Sequence, residues 1–266
     1  MDITRLAVLP CLNWYDLLSE DLMPVRAKLD RVARQPLSAV VFDQLLDRIV
    51  AGAFQAGDAL PAERQLCTEL GVSRTAVREA LARLAQLKLI QVRHGGETRV
   101  LDFRATAGLD VLPSLLRRPN GRISADVARA GFEMRAAIGP DMARLAAERR
   151  GESDLVALDT ALDAMEAARG DLEILQHQSL AFWGAVSAGS GNIAYQLAFN
   201  TLRESIKHLS GLATAQGDEL RDLRGYRAIA DAIRKGDGAG AMRAARAHIA
   251  LGLEGIAQLQ RSKRNP

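Results

Sequence analysis

Cysteine is nearly absent from the 266-residue chain, which carries only Cys11 and Cys67. The two stand far apart with no partner at metal-binding or redox spacing, so a disulfide framework and a zinc ribbon are excluded. Aromatic residues are also scarce, at 4%. Ala, Leu and Arg are abundant and lose little rotamer freedom in a helix, so a mainly α fold is expected. No stretch approaches the roughly eighteen consecutive apolar residues that a spanning helix needs. The N-terminal stretch lacks a basic start followed by an apolar run and a small-residue cleavage site. No secretory signal is therefore expected, the chain is placed in the cytoplasm, and no membrane partner is foreseen. Missing as well are a glycine-rich phosphate loop, a nucleophile elbow and a His–Asp pair at helical metal spacing, which argues against an enzyme; no cofactor is expected.

Charge of either sign is barely in excess: 35 Lys plus Arg stand against 32 Asp plus Glu, a formal net charge of +3. That total identifies no partner, but the distribution is informative. Between Val72 and Arg99 lie Arg74, Arg78, Arg83, Lys88, Arg93 and Arg99, against Glu79 and Glu97. A local cationic face of this kind suits a polyanion.

Residues 1–35 mix short apolar runs with Pro10 and Pro24 and read as an N-terminal arm with a helix from about Val25 to Arg34; Met23 offers an alternative translation start. From Leu37 the pattern sharpens. Val40, Val41, Leu45, Ile49 and Val50 recur at helical spacing behind Ser38, a good N-cap residue, and Gly52 ends the run. Gly57 and Asp58 make a turn, and Pro61 stands where a first helical residue tolerates a missing N–H. Leu66 and Leu70 then form the stripe of a short second helix stopped by Gly71. Ser73 is placed to cap a third helix whose Val77, Ala80, Leu81, Leu84 and Leu87 share one face, leaving Arg74, Thr75 and Arg78 on another. Leu89, Ile90 and Val92, then His94-Gly95-Gly96-Glu97-Thr98, then Arg99, Val100 and Leu101 read as two short strands joined by a glycine turn. Three helices plus a β-hairpin wing make a winged helix-turn-helix over 36–103. From Thr106 onward only helical periodicity is visible, broken at Pro119–Gly121, Gly151, Gly170, Gly189–Asn192, Gly217 and Gly236–Gly240. This predicts an all-α bundle of about seven helices over 104–262.

The segments Leu60-Pro61-Ala62-Glu63-Arg64-Gln65-Leu66, Leu70-Gly71-Val72-Ser73-Arg74-Thr75-Ala76-Val77-Arg78-Glu79-Ala80-Leu81 and His94-Gly95 resemble the N-terminal domain of the GntR family of bacterial transcription factors. A third helix of this kind enters the major groove, about 12 Å wide, with its N-terminal residues toward base edges, while the wing reaches an adjacent groove. The resemblance implies phosphate or base contacts at Arg64, Ser73, Arg74, Thr75, Arg78, His94 and Gly95. Apart from the motif, Arg74 and Arg78 would read as a solvated helix face, His94 as a wing-turn residue, and Glu63 as a partner for Arg64 or a cap of its helix. A homodimer is implied too, because a palindromic double-stranded operator presents two half-sites.

Residues 125–240, from Phe132-Glu133-Met134-Arg135 through Ser187-Ala188-Gly189-Ser190-Gly191-Asn192, are similar to the all-helical ligand domain (FCD type) of the FadR subfamily. Most members of that subfamily look like metal-dependent sensors, with an Asp four residues before a His on one helix, a second His opening a later helix and a third near the end. This chain has Ser179, Trp183, Tyr226 and His248 at those positions. One imidazole cannot hold a metal that wants about four donors, so no metal site is expected. Ser and Trp in place of Asp and His remove charge and add apolar area, which suits a ligand with a hydrocarbon body and a polar end. Phe132 to Ile138, Phe182-Trp183-Gly184, Gly191-Asn192-Ile193-Ala194-Tyr195 and Phe199-Asn200 are similar to the metal-free, fatty-acyl-CoA-responsive branch of the subfamily. That resemblance implies a small amphipathic effector such as a fatty acid or acyl-CoA. Arg135 would pair with its acidic end, with Phe132, Phe182, Trp183, Tyr195, Phe199, Tyr226 and His248 around it. The plainer alternatives are helix-bundle core for the aromatics and a salt bridge to Glu133 or Glu204 for Arg135. The rival function is a metal-dependent carboxylate sensor. Residues 106–116, joining the two domains, are the expected transmitter.

Overall fold

Val41, Phe42, Leu45, Leu46 and Ile49 form the buried stripe of α1, Leu37–Val50, the first element in a computed structural model that describes residues 36–92, 97–117, 123–168, 170–206, 213–214 and 216–264. The helix starts at Leu37 with Pro36 as its N-cap, whose carbonyl receives the N–H groups of Ala39 and Val40. Ser38 therefore lies inside the first turn and is not the cap: proline at 36 already presents a free carbonyl to the first turn. Helix α2, Glu63–Leu70, begins two residues after Pro61 and stops at Gly71, whose left-handed conformation (φ 64°) closes it. Helix α3, Arg74–Gln86, is capped by Ser73 as its sequence predicts. It buries Ala76, Val77, Ala80, Leu81 and Leu84, chiefly against α1. The arm over 1–35 and the turn carrying His94 and Gly95 lie outside the described residues.

Strands β1, Ile90–Gln91, and β2, Arg99–Val100, pair antiparallel, Ile90 opposite Val100 and Gln91 opposite Arg99. The segment ahead of α2 adds a rung on the far side of β2. Leu60 N–H donates to Thr98 O at 2.8 Å, Val100 N–H donates to Asp58 O at 2.9 Å, and Arg99 Nη1 donates to the Gly57 carbonyl at 2.9 Å. The wing is thus stitched to the helical core along its inner strand, which two short strands alone would not ensure.

A short α4, Phe103–Thr106, capped by Asp102, leads into a 3₁₀ turn, Leu109–Val111, and α5, Leu112–Leu116. Val111 is buried in the N-terminal core beside Leu84 and Leu89, and Leu115 packs against that same core. The next residue, Leu116, belongs to another cluster with Ala128, Phe132, Ile206 and Ile256. Consecutive leucines of α5 therefore divide between two hydrophobic cores.

The helical part comprises α6, Ala125–Arg149; α7, Glu152–Ala167; α8, Leu172–Gly189; α9, Ile193–Ile206; α10, Gly217–Arg221; α11, Leu223–Lys235; and α12, Gly238–Arg264. The two longest, α6 and α12, pack most extensively on each other, with α11 against both. Helix α6 runs through Pro140, which removes one ladder hydrogen bond and is buried. Glycines punctuate as predicted at Gly170 and Gly236, both at positive φ, whereas Gly217 opens α10 and interrupts nothing. Among the described residues no helix is long and apolar enough to cross a membrane.

Because Leu84 is fully buried where α1, α3 and the linker converge, Leu84→Ala is expected to destabilise the N-terminal core by about 2–5 kcal/mol. Urea unfolding followed by circular dichroism checks this; a loss below about 1 kcal/mol would mean the site collapses around the cavity.

Candidate functional site

The first half of the candidate site is the exposed edge formed by α2 and α3. Arg64 stands on the first turn of α2, and Arg74, Thr75 and Arg78 on the first turns of α3, all exposed. Ser73 Oγ accepts from the Ala76 N–H at 3.3 Å, which leaves its own O–H free to donate outward. Arg78 Nε donates to Glu63 Oε2 at 2.8 Å, so Glu63 joins α2 to α3 through Arg78 and does not pair with Arg64. That hydrogen bond raises the Arg78 pKa further above its ordinary value. Two further basic residues do other work: the Arg83 guanidinium lies 3.9 Å over the Phe42 ring, and Arg99 is held by the Gly57 carbonyl and by Glu97 at 2.8 Å. Arg64, Arg74 and Arg78 remain as exposed cations on α2 and the start of α3; Lys88 is exposed as well, and Arg93 lies outside the described residues. His94 and Gly95 are outside the described residues.

The second half lies inside the bundle. Arg135 of α6 donates to Glu219 of α10 through both terminal nitrogens, Nη1 to Oε2 at 2.9 Å and Nη2 to Oε1 at 2.5 Å. The Glu219 side chain is 0% exposed and that of Arg135 13%. Burial opposes the Arg135 charge, but the Glu219 carboxylate outweighs it and the guanidinium pKa is raised. Glycine makes the pairing fit: a Cβ at position 252 would stand 2.0 Å from Glu219 Oε2. Behind this pair, His248 Nε2 is 3.7 Å from Glu219 Oε1, and His248 Nδ1 is 3.1 Å from Asp222 Oδ2. The Tyr226 hydroxyl donates to Ser179 Oγ at 2.7 Å, and its ring lies 4.0 Å from that of His248. Burial pushes the Tyr226 phenol well above its usual range and holds the His248 imidazole below its own.

Two small cavities flank Arg135, Leu202 and Ile206, each of about 20 Å³, room for about one water. The first is lined also by Gln176, Ser179, Trp183, Phe199, Arg203, Gln216 and Leu220. The second reaches Leu112 and Leu116 of α5 and Phe132 of α6. Of the sequence-predicted ligand residues, Arg135, Trp183 and Phe199 line the first cavity, and Phe132 with Arg135 the second. Phe182 is core, edge-on to Trp183 at 6.0 Å and to Tyr226 at 5.0 Å. Tyr226 and His248 sit behind the wall, and Tyr195 donates to Asp141 at 3.1 Å; none of these four lines either of these two cavities. The partner of Arg135 is Glu219, and Glu133 pairs with Arg129 instead.

Residues 37–100 match the model for bacterial regulatory proteins of the gntR family, and residues 131–251 match the FCD domain. The chain is 39% identical over 218 residues to the HTH-type transcriptional regulator Mce2R of Mycobacterium tuberculosis, spanning 82% of this chain and 90% of that protein. The chain belongs to the GntR family. This GntR protein is also 31% identical to the galactonate operon transcriptional repressor of Escherichia coli, over 76% of its own length and 89% of the repressor. It is likewise 31% identical to a fatty acid metabolism regulator of Klebsiella pneumoniae, over 60% and 65% respectively. A solved structure of Lar from Listeria monocytogenes shares the fold, with TM-score 0.59 and 18% identity over 86% of this chain and all of that one. The molecule is therefore a DNA-binding transcription regulator with an FCD effector domain, not an enzyme.

At the implied ligand positions Ser179 is engaged by a protonated tyrosine, Trp183 offers no lone pair, and His248 is tied to Asp222. Glu219 is already taken by Arg135. The donor set does not fit a divalent ion, and among the described residues no group of three His, Cys, Asp or Glu side chains could hold one. Glu219, Gln176, Gln216 and Asp222 are the site residues that sequence inspection missed. Gln176, Ser179 and Trp183 were detectable as polar and aromatic positions on one face of α8, whereas Glu219 reads in sequence as an ordinary surface acid.

Two outcomes follow from the buried cluster. Gly252→Ala would gain up to about 1 kcal/mol if α12 were an ordinary helix, but expelling Glu219 from Arg135 should instead cost roughly 3–5 kcal/mol; the sign, read from chemical denaturation, decides. His248 resists protonation in the fold against the opposing influence of Glu219 and Asp222 and with the help of burial and Arg135. Its stability contribution is thus complete above the unfolded value of 6.5 and is lost as pH falls below it toward the lower folded value. Denaturation curves across that interval should show His248→Gln declining less steeply than the parent; parallel declines would contradict a buried neutral imidazole.

Proposed function

We propose that the chain acts in the cytoplasm as a homodimeric, sequence-specific regulator of a palindromic operator, and that a small amphipathic effector, a fatty acid or fatty acyl-CoA, retunes its DNA affinity. In this reading α3 lies in the major groove with Arg74, Thr75 and Arg78 toward base edges and phosphates, supported by Arg64, the Ser73 hydroxyl and the wing residues His94 and Gly95. The observation that carries the effector half is the placement of the two cavities. They share Arg135, Leu202 and Ile206, and the second is walled by Leu112 and Leu116 of the segment that leads to the DNA-binding core. The apolar lining suits a hydrocarbon body, and the likeness to fatty acid metabolism regulators favours that class.

Each cavity holds about one water, so an effector must push Leu202 and Ile206 aside to bind. Ile206 packs in one cluster with Leu116, and displacing it disturbs α5, whose other leucine is seated in the N-terminal core. A ligand can shift the DNA-competent population only by its difference in affinity for the two states, typically about 1–3 kcal/mol.

Selection of an operator from random duplexes, followed by anisotropy titration, tests the DNA half. Arg78→Ala is expected to weaken operator binding by roughly 1–3 kcal/mol; a change under about 0.5 kcal/mol would return Arg78 to a solvated face paired with Glu63. Native mass spectrometry of the purified full chain tests the rest: a dimer mass with a retained amphipath is expected, and a monomer, or a dimer carrying stoichiometric zinc or nickel, would overturn it.

A further inference from the structure

We infer that the inner cavity beside Arg135 receives an uncharged polar group that both accepts and donates hydrogen bonds, an amide or a hydroxylated carbonyl, and rejects a free carboxylate. The inference rests on the reading above that an amphipathic effector enters this cavity, and departs from it at the polar end: of the two effector classes named there it excludes the free fatty acid, whose carboxylate the cavity rejects.

Three side chains on the cavity wall are more than nine-tenths buried: Gln176 (7% exposed), Gln216 (5%) and Trp183 (2%). Each holds a polar atom with no hydrogen-bond partner among the described residues, namely Gln176 Nε2, Gln216 Oε1 and Trp183 Nε1. Buried groups left in this state are costly, and native proteins tolerate few of them. Together they offer two N–H donors and one acceptor to whatever enters. A carbonyl oxygen set against Gln176 and Trp183, with an adjacent N–H or O–H toward Gln216, satisfies all three. A carboxylate has no donor for Gln216 and brings a charge that needs a cation. The nearest guanidinium, Arg135, already forms a bidentate pair with the Glu219 carboxylate, so the pair presents no net charge to the cavity. An additional anion buried there would be uncompensated. Arg203 also borders the cavity but is exposed, where pairing with an anion is weak.

The test uses the full chain with Trp14→Phe, which leaves Trp183 as its single tryptophan. Decanamide and sodium decanoate, alike except for the charge of the polar end, are titrated while Trp183 emission is followed. Decanamide is expected to bind at least about tenfold more tightly, and Gln176→Leu or Gln216→Leu to remove about tenfold of that affinity. Glu219→Gln, which releases the Arg135 charge, should shift the preference toward decanoate; if that variant does not fold, the preference of the parent protein decides alone. Tighter binding of decanoate by the parent, lost in Arg203→Ala, would overturn the inference while leaving an amphipathic effector in place. Binding of neither probe by protein that still holds its operator would remove the amphipathic-effector reading and this inference with it.

Discussion

The bidentate pair between Arg135 and Glu219 is the contact on which the effector half of the molecule is built. A buried ion pair is favourable only when its geometry recovers the cost of desolvating both charges. Here two parallel N–H···O bonds supply that geometry, and Gly252 supplies the space for the carboxylate. The pair fixes the short α10 against α6, and α10 carries Leu220 onto the cavity wall next to Gln216 at its N-cap. It also settles the electrostatics: the guanidinium that would draw an anion is neutralised, and what remains for a ligand is a set of uncharged donors and acceptors in an apolar surround.

Arg135 of this pair lines both cavities, and the second opens onto α5. No long-range wire is needed to relate ligand and operator: α9 ends in Ile206, Ile206 packs with Leu116, and Leu115 beside it is packed against the winged-helix core. In the proposed reading, a ligand large enough to part Leu202 and Ile206 from Arg135 would change the seating of Leu116 and with it that of Leu115. Coupling of this type is a property of two packed clusters sharing one turn of helix, and it is reciprocal, so operator binding should alter ligand affinity equally.

The elements governed by local rules were legible in the sequence. The Ser73 cap, the left-handed stops at Gly71 and Gly236 and the apolar face of α3 depend on residues within one or two turns of each other. Where a local rule competed with another, boundaries moved, as when Pro36 took the capping role expected of Ser38. Resemblance pointed to Arg135 and Trp183, which border the first cavity. Their partners were not legible, because Glu219 lies 84 positions from Arg135 and nothing in its neighbourhood marks it as buried. The aromatic residues divide differently: Phe182 and Tyr226 are packed in the bundle core and Tyr195 against it, with the Tyr195 hydroxyl donating to Asp141 and that of Tyr226 to Ser179, and sequence alone does not separate such rings from those that border the two cavities.

The most direct measurement is operator affinity of the full chain in which the pair is replaced by uncharged residues of similar volume, Arg135→Met with Glu219→Met, compared with the parent at one salt concentration. If the state of this pair sets the position of α5, affinity for the selected operator should change by about 5–150-fold, the span of ordinary coupling free energies, although neither residue belongs to the DNA-facing surface. A folded double variant that binds the operator with unchanged affinity would contradict the account.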